Sequence, residues 1–264
     1  MIISDSHAHY TDDRFSEEYP GGARSLLRDL FQDDVGLIVN MSVCTSDIPT
    51  VVELVSAFPY MYAGAGIHPT ELGREISLND AIGKLRYWLD NRKNNKIVCI
   101  GEIGLDYHYD NIDKSLQQSF FKAQIELACE YSLPVSVHDR EAHEDVWEMI
   151  KGYPDLKGVM HCFSGSAEMA ERLLSLGWYI GIGGVVTFKN SRRIKEVVSK
   201  IPLNRILLET DCPYLSPEPF RGKINRSDYI SYVVDSISDI KGIDPEIVAS
   251  SAFDNALHLF KIEK

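Results

Sequence analysis

The chain has 264 residues, of which 44% are hydrophobic and 25% are charged, and these values are ordinary for a soluble globular protein. Its formal net charge of −12 gives an average field that repels nucleic acid, which argues against a general nucleic-acid coat protein. A phosphodiester substrate remains compatible with this charge, because bound divalent ions can reverse the sign of the field locally.

Short, mostly β-branched apolar runs predict eight strands. They are Ile2-Ile3, Val35 to Val43, Met61 to Gly66, Ile97 to Gly101, Pro134 to His138, Gly158 to His161, Trp178 to Ile182 and Arg205 to Glu209. Segments with apolar residues at helical spacing separate or follow them. The predicted helices are Ser77 to Arg92, Leu116 to Tyr131, Asp139 to Lys151, Ser166 to Leu176, Ser191 to Ser199, Arg226 to Ile240 and Pro245 to Phe260.

The alternation of strands and helices predicts an α/β protein with a parallel sheet. With eight such units, closure into a (β/α)8 TIM barrel is the simplest architecture, and an open doubly wound sheet is the alternative. No internal repeat, low-complexity segment or linker divides the chain. We therefore predict a single domain over residues 1–264.

The five cysteines are scattered and include no C-x-x-C pair, which fits free thiols in a reducing compartment. The first residues do not resemble a signal peptide, and no apolar run approaches the ~20 residues that span a bilayer. We predict a cytoplasmic protein with no membrane association and no stable protein partner.

Unusual polar residues cluster at or just after the carboxyl ends of the predicted strands. In a barrel these ends meet at one face, which is where such barrels place their chemistry. The residues are His7, His9, His68, Glu102, His138, His161 and Asp211. This convergence predicts a metal site at the barrel mouth, since imidazole and carboxylate are common metal ligands.

Four of the five histidines at these positions form two pairs. His7 and His9 are two residues apart, so an extended chain projects both imidazoles to the same side. His138 and His161 end the fifth and sixth strands, which are neighbours in a barrel, and this placement suits one metal ion. Cys162 follows a ligand candidate and should point the other way, as a buried thiol.

Three carboxylates have different predicted roles. Glu102, between glycine and apolar residues, can bridge two cations with its two oxygens, or form a salt bridge at the barrel rim. Asp106 is interpreted as a residue that orders a loop. Asp211 lies at the rim within reach of metal, whereas Glu209 lies deeper and suits an acceptor for the N–H of a ligand histidine. His68 either binds substrate and stabilises charge or is only a rim residue.

Seven motifs in order resemble the TatD family of metal-dependent deoxyribonucleases, within the amidohydrolase-like barrels. They are DSHAHY, GIHP, GEIGLDY, VHDREA, HCFSG, ETDCPYL and PFRGKIN, and the similarity covers nearly the whole chain. The chain departs from the family at Ala8, where Cys or Leu is frequent, and at Ile224 to Ser227, where the family usually has Arg-Asn-Glu-Pro. The second departure concerns how the loop after the eighth strand contacts substrate.

The resemblance implies a centre of two divalent metal ions, Zn, Mg or Mn, with Glu102 bridging. The implied ligands are His7, His9, Glu102, His138, His161 and Asp211. Two cations lower the pKa of a shared water. Asp211 would orient that water and accept its proton, with Glu102 and His68 as the other candidate catalytic residues.

The resemblance also implies a nuclease, and a recessed site predicts trimming of single-stranded DNA or RNA from an end. Arg140 and Arg221 are the candidate phosphate-binding residues, together with His68, although each arginine could equally form a surface salt bridge. Further candidates at the substrate are Lys223 for phosphate and Tyr107 and Phe220 for stacking on a terminal base, with core packing the alternative for each aromatic ring.

Two other functions stay open at this stage. One is an amidohydrolase-type reaction on a small amide, lactone or phosphoester. Many such barrels bridge their metals with a carboxylated lysine on the fourth strand, but Lys96 lies at the wrong end of that strand and Glu102 takes the position. The other is a metal-binding scaffold without catalysis, which a complete ligand set disfavours.

Overall fold

The computed structural model describes residues 1–75, 77–109 and 113–263. Eight parallel strands are hydrogen-bonded in sequence order, as predicted for a (β/α)8 barrel. The strands are β1 (Ile3–Ala8), β2 (Val35–Met41), β3 (Met61–Gly64), β4 (Ile97–Asp106), β5 (Val135–Arg140), β6 (Gly158–Met160), β7 (Tyr179–Ile182) and β8 (Ile206–Leu208). This order excludes the alternative of an open doubly wound sheet.

Helices follow the strands and cover the outside of the barrel. They are α1 (Arg14–Glu18), α2 (Gly22–Gln32), α3 (Ile48–Ser56), α4 (Leu78–Asp90), α5 (Lys114–Tyr131), α6 (His143–Ile150), α7 (Ala167–Ser175), α8 (Arg192–Lys200), α9 (Ile230–Lys241) and α10 (Pro245–Phe260). Short 3-10 helices span Pro69–Arg74, Gly184–Thr187, Leu203–Arg205 and Ser227–Tyr229. None of the helices among the described residues is both long and apolar enough to cross a membrane.

The predicted strand ends were wrong by a few residues at several positions. The sequence places His7, Glu102 and His138 after or at the end of a strand, but all three lie inside β1, β4 and β5. Their side chains contact other polar groups at the mouth, with His7 and Glu102 buried and His138 half-buried, so polarity at these positions does not end the strands. Helices α1, α2 and α3 were not predicted.

Two apolar layers hold the barrel together. The larger layer lies between the strands and the helices, with fully buried residues such as Leu27, Phe121 and Trp178. A smaller cluster inside the barrel includes Val39 of β2 and Cys99 of β4, and the end of α10 packs against it through Phe260. Hydrophobic burial of this kind is the main favourable free energy of the fold, and it fixes the strands that carry the polar mouth.

The barrel closes between β8 and β1 mainly through the residues that follow β8. Ala8 and Cys212 form an isolated parallel bridge, and the Asp211 N–H donates to the His7 carbonyl over 2.9 Å. The buried Asp5 carboxylate adds to this seam. It accepts hydrogen bonds of 2.7 Å from the Thr210 hydroxyl and 2.7 Å from the Ser227 hydroxyl.

Candidate metal centre

The buried carboxylate of Glu102 lies at the centre of the barrel mouth, and its two oxygens face different histidines. Oε2 lies 3.3 Å from Nε2 of His7 and 3.4 Å from Nε2 of His9. Oε1 lies 3.0 Å from Nδ1 of His138 and 3.8 Å from Nε2 of His161. One carboxylate therefore joins two groups of nitrogen donors, which is the geometry that the bridging prediction requires.

Asp211 completes the side of the cluster next to the barrel seam. Its Oδ1 lies 3.4 Å from Nε2 of His9 and 3.6 Å from Nε2 of His161. Asp211 has a φ of +57°, so it occupies the left-handed region that few residues other than Gly, Asn and Asp adopt readily. This backbone turn brings the carboxylate back toward the histidines.

The donor atoms fit a divalent cation. The Nε2 atoms of His7 and His9 are 3.1 Å apart and both face the same Glu102 oxygen. Two imidazole lone pairs at that distance need a proton or a cation between them. His7, His9 and Asp211 each offer one ligand atom, and these three atoms lie within 4.8 Å of one another. The same holds for one ligand atom from each of His7, Glu102 and His161. The residues present therefore fit the metal ions that the resemblance implies.

The histidines differ in their affinity for protons. Burial lowers the pKa of His7 to about 4. For His9 and His138 burial also disfavours the charged form. Hydrogen bonds that the two rings donate to carboxylates, and the negative charge of those carboxylates, outweigh this effect and raise both pKa values to about 10. The pKa of His161 is raised to about 9 in the same way, by Glu209 and Asp211. Without metal, protons thus balance part of the negative charge of the cluster.

Neighbouring groups orient the ligand candidates. Nδ1 of His7 lies 3.0 Å from the hydroxyl of the fully buried Ser136, so a proton on Nδ1 leaves Nε2 free to face the cluster. Oε2 of Glu209 lies 3.2 Å from Nδ1 of His161, which is an ion-pair distance, but neither atom has a hydrogen-bond partner among the described residues, so the acceptor role of Glu209 stays a prediction. The sequence analysis missed Ser136, although it shares a face of β5 with His138 by the period-two rule.

Of the interpretations of two neighbouring residues, one is confirmed and one was wrong. Asp106 orders its loop, as predicted, by accepting a hydrogen bond from the His108 N–H, and its Oδ2 also lies 3.1 Å from Nε2 of His138. The Cys162 thiol does not point away from the cluster, because ligand atoms of His161, Cys162 and Glu209 lie within 4.8 Å of one another. Cys162 has a φ of +45°, so the alternation of a regular strand does not apply there.

His68 lies at the edge of the cluster. Its Nδ1 accepts a hydrogen bond of 3.2 Å from the Thr70 N–H, so in the neutral ring the proton is on Nε2. That atom lies 3.5 Å from Oε1 of Glu102. Burial lowers the pKa of His68 to about 3, which keeps the ring neutral. His68 therefore presents an N–H donor to the mouth.

A cavity of 660 Å³ opens above these residues. Its described lining includes His9, His68, Glu102, Asp106, His138, Arg140, Asp211 and, on the rim, Asp12, Asp13, Arg74, Tyr109 and Tyr214. Four of the six predicted ligands, namely His9, Glu102, His138 and Asp211, line this cavity, so a molecule that enters it reaches the cluster. A larger cavity of 1150 Å³ lies elsewhere, lined in part by Lys157, Arg205 and Lys261. It contains none of the ligand candidates.

The structure places His68 and Arg140 in this cavity, but not the other residues that were predicted to contact the substrate. Arg221 is not among the described residues that line it; its guanidinium carbon lies 4.4 Å from the ring centroid of Phe188. Phe220 stacks on Tyr229 with centroids 4.2 Å apart, and the Tyr107 hydroxyl donates to Asp145 over 2.6 Å. Lys223 is also outside the described lining.

The chain is similar to known metal-dependent hydrolases over nearly its whole length. The family model described as TatD related DNase matches residues 4–261. YabD of Bacillus subtilis, named as a metal-dependent hydrolase, is 38% identical over 99% of this chain and 100% of its own length. The crystal structure of YjjV of Escherichia coli, titled a TatD homolog, has a TM-score of 0.91 at 30% identity, covering 99% of this chain and 98% of YjjV.

More distant structures share the barrel. A TatD family hydrolase of Entamoeba histolytica has a TM-score of 0.86 at 25% identity, with 98% of each chain covered. A phosphotriesterase homology protein of Escherichia coli, solved with phosphate in its active site, has a TM-score of 0.67 at 14% identity, also with 98% of each chain covered. At that identity the likeness is one of fold.

Proposed function

This chain belongs to the TatD-related DNase family, and on that premise we propose that it hydrolyses phosphodiester bonds at the end of single-stranded DNA or RNA with two divalent metal ions. The observation that supports two ions is the position of the Glu102 carboxylate, because its two oxygens face separate groups of histidines. Bound ions would polarise the phosphoryl group and lower the pKa of a water, so that hydroxide is available near neutral pH.

The residues of the chain have distinct roles in this proposal. His7, His9 and Asp211 would hold one ion, His138 and His161 the other, and Glu102 both. Asp211 is also the proton acceptor, because it is at the rim of the cluster and its side chain keeps 19% of its surface exposed. A carboxylate of this kind can take a proton from the attacking water.

Two groups would bind the substrate phosphate. The Nε2–H of His68 points toward the cluster and can donate to a phosphoryl oxygen without adding a charge. Arg140 follows His138 at a spacing of two on β5, so both side chains project to the mouth. None of the described carboxylates forms an ion pair with Arg140, which leaves its guanidinium available for a phosphate.

The recessed cavity supports a strand end as the substrate. A stacked duplex is too wide to lower an internal phosphate to the floor of a 660 Å³ cavity, whereas a frayed terminus can enter. A net charge of −12 also leaves no broad basic surface to hold duplex phosphates. The imidazole-rich ligand set suits Zn or Mn, and the carboxylates suit Mg, so we propose one of these three ions.

The test compares an end-labelled single strand, the matching blunt duplex and a closed circular single strand, each with metal-depleted enzyme to which Zn, Mn or Mg is added back. We expect the single strand to be shortened from an end, the duplex to be cut poorly and the circle to stay intact. Rapid cutting of the circle would show endonuclease action. No cutting of any nucleic acid, with turnover of a small amide, lactone or phosphoester, would assign the amidohydrolase-type function.

The single domain over residues 1–264, a cytoplasmic location and the lack of a stable protein partner stay predictions.

A further inference from the structure

Two tyrosines on the rim of the cavity are exposed, although large aromatic side chains tend to be buried. Tyr109 is 50% exposed and Tyr214 is 47% exposed, and both line the cavity that holds the ligand candidates. They lie on different sides of it. Tyr109 follows β4, near Arg140 of β5, whereas Tyr214 follows β8 next to β1, and β5 is opposite β1 in an eight-stranded barrel.

Tyr214 is held in a fixed relation to the metal centre. Its N–H donates to the carbonyl of Asp211 over 2.8 Å, which closes a tight turn after the ligand candidate. The guanidinium carbon of Arg14 lies 4.1 Å from the centroid of its ring. Arg14 in turn donates two hydrogen bonds, of 2.8 and 2.7 Å, to the carboxylate of Asp12. A single guanidinium covers only one ring face, and 47% of Tyr214 stays exposed beside the cavity, which leaves ring surface accessible for stacking.

The charges on the two sides of the cavity differ. Asp12 and Asp13 lie on the same side as Tyr214, and the positive charge of Arg14 is already balanced by Asp12. On the opposite side the Asp106 carboxylate faces Nε2 of His138 at 3.1 Å, and Arg140 forms no ion pair within 4 Å with a described carboxylate. A phosphate is therefore favoured beside Arg140 and repelled beside Asp13, whereas an uncharged base is tolerated beside Tyr214.

From this arrangement we propose that Tyr214 stacks on the terminal nucleobase of the strand, with Arg14 and Asp12 as positioning residues, and that the rest of the strand leaves the cavity past Arg140. This inference rests on the proposed function and identifies the part of the substrate that the mouth recognises. Stacking tolerates every base, since each base has a π-face, so the enzyme would read the presence of a terminal base and not its identity.

The experiment measures kcat and KM for a single-stranded oligonucleotide and for the same strand ending in a tetrahydrofuran residue, which has no base. Loss of one base–aromatic stack is worth ~1–3 kcal/mol, so Tyr214→Ala should raise KM for the base-bearing end by roughly 5- to 150-fold. Tyr214→Phe keeps the ring and should stay within about twofold of the parent by the same principle. The base-free end should be a poor substrate for the parent, with no further loss in Tyr214→Ala. Tyr60→Ala, which removes a 60% exposed tyrosine outside the described lining, is the matched control.

A second arm tests the direction of the strand. A phosphate added to the hydroxyl of the trimmed end should slow cleavage, and Asp13→Asn should recover part of the rate. If Tyr214→Ala cleaves the base-bearing and the base-free substrates with equal losses, or with no loss for either, the stacking site is overturned. Cleavage by the parent enzyme would still support the nuclease function. Absence of cleavage by the parent enzyme would overturn both. Metal content measured in each variant separates a lost stack from a damaged centre.

Discussion

Oε2 of Glu209 lies 3.2 Å from Nδ1 of His161, while Oε1 accepts a 2.5 Å hydrogen bond from the backbone N–H of Cys162. The Glu209 carboxylate is buried directly over Gly181, where an added Cβ would lie 2.7 Å from its carboxyl carbon. A glycine is therefore required at this position so that Glu209 can approach His161. The first prediction uses this dependence.

Gly181→Ala should displace Glu209 and loosen His161, and partners of this kind typically change metal affinity by ~10- to 100-fold. The measurement is a competition titration of metal against a chelator. Gly83→Ala is the control, because an added Cβ on that helical glycine meets nothing within 4 Å. If the metal affinity of Gly181→Ala equals that of Gly83→Ala, Glu209 does not position His161.

Glu102→Gln should lower metal content and activity together, because an amide gives only one oxygen acceptor and carries no charge to balance two cations. Metal analysis of the purified variant, beside its turnover, checks this. Glu71→Gln makes the same change on the cavity rim, where Glu71 pairs with Arg74 over 2.7 Å, and should keep both ions. Two ions retained with full turnover in Glu102→Gln would remove Glu102 from the centre.

Asp211→Asn should preserve the fold and reduce the hydrolysis rate by about 10²- to 10⁴-fold, the usual contribution of a general base. Asn is chosen because it also adopts the left-handed conformation that Asp211 has, at a φ of +57°. Circular dichroism and metal content establish that the variant is intact before its rate is measured. A folded, metal-loaded variant with nearly parental turnover would show that Asp211 is not the proton acceptor.

Metal uptake should release protons, and metal affinity should therefore rise with pH. Near pH 7.5 the metal-free centre holds protons on His9, His138 and His161, whose pKa values are about 10, 10 and 9. A metal ion binds only the deprotonated nitrogens, so each proton must leave. Isothermal titration of Zn in two buffers of different ionisation enthalpy gives the number released. A value of zero at pH 7.5 would contradict these protonation states.

Asp5→Ala should destabilise the protein, mainly through the barrel seam, although Asp5 also accepts a hydrogen bond of 3.3 Å from the backbone N–H of His7. It removes the acceptor of hydrogen bonds from Thr210 and Ser227 at the barrel seam, and each buried group left unpaired costs about 1–3 kcal/mol. A denaturant titration should show a loss of at least ~3 kcal/mol by this principle. Ser4→Ala changes the adjacent buried residue, whose hydroxyl has no hydrogen-bond partner among the described residues, and should be nearly neutral. Equal stability of the two variants would show that Asp5 does not hold the seam.

The sequence was sufficient for the barrel and for the side chains at its mouth, because both follow from periodicity. Seven polar residues at strand ends must converge if the strands are parallel and closed, and the structure brings all seven together. Strand ends were less well predicted, since the predicted apolar runs stop at Ile3 and Gly101 while the strands continue to Ala8 and Asp106.

Loop residues could not be placed from the sequence. Arg221 and Phe220 follow the eighth strand and were predicted to contact the substrate. The loop instead places Phe220 against Tyr229. Tyr214 was passed over although it lies only three residues after Asp211. The left-handed turn at Asp211 decides where it points, and no periodic pattern predicts that turn.

The seam between β8 and β1 also determines when the enzyme becomes complete. Asp5 and Thr210 form a hydrogen bond although they are 205 residues apart in the sequence. Asp211 and His9 are in contact at the same seam, with Oδ1 3.4 Å from Nε2. During synthesis from the N-terminus, His7 and His9 are made first and Asp211 among the last of the barrel. A growing chain that already carries every histidine of the centre still lacks the proposed proton acceptor and the contacts that close the barrel. On the proposed mechanism, we expect hydrolysis to begin only when the two ends of the barrel meet, and incomplete chains released from the ribosome to be inactive.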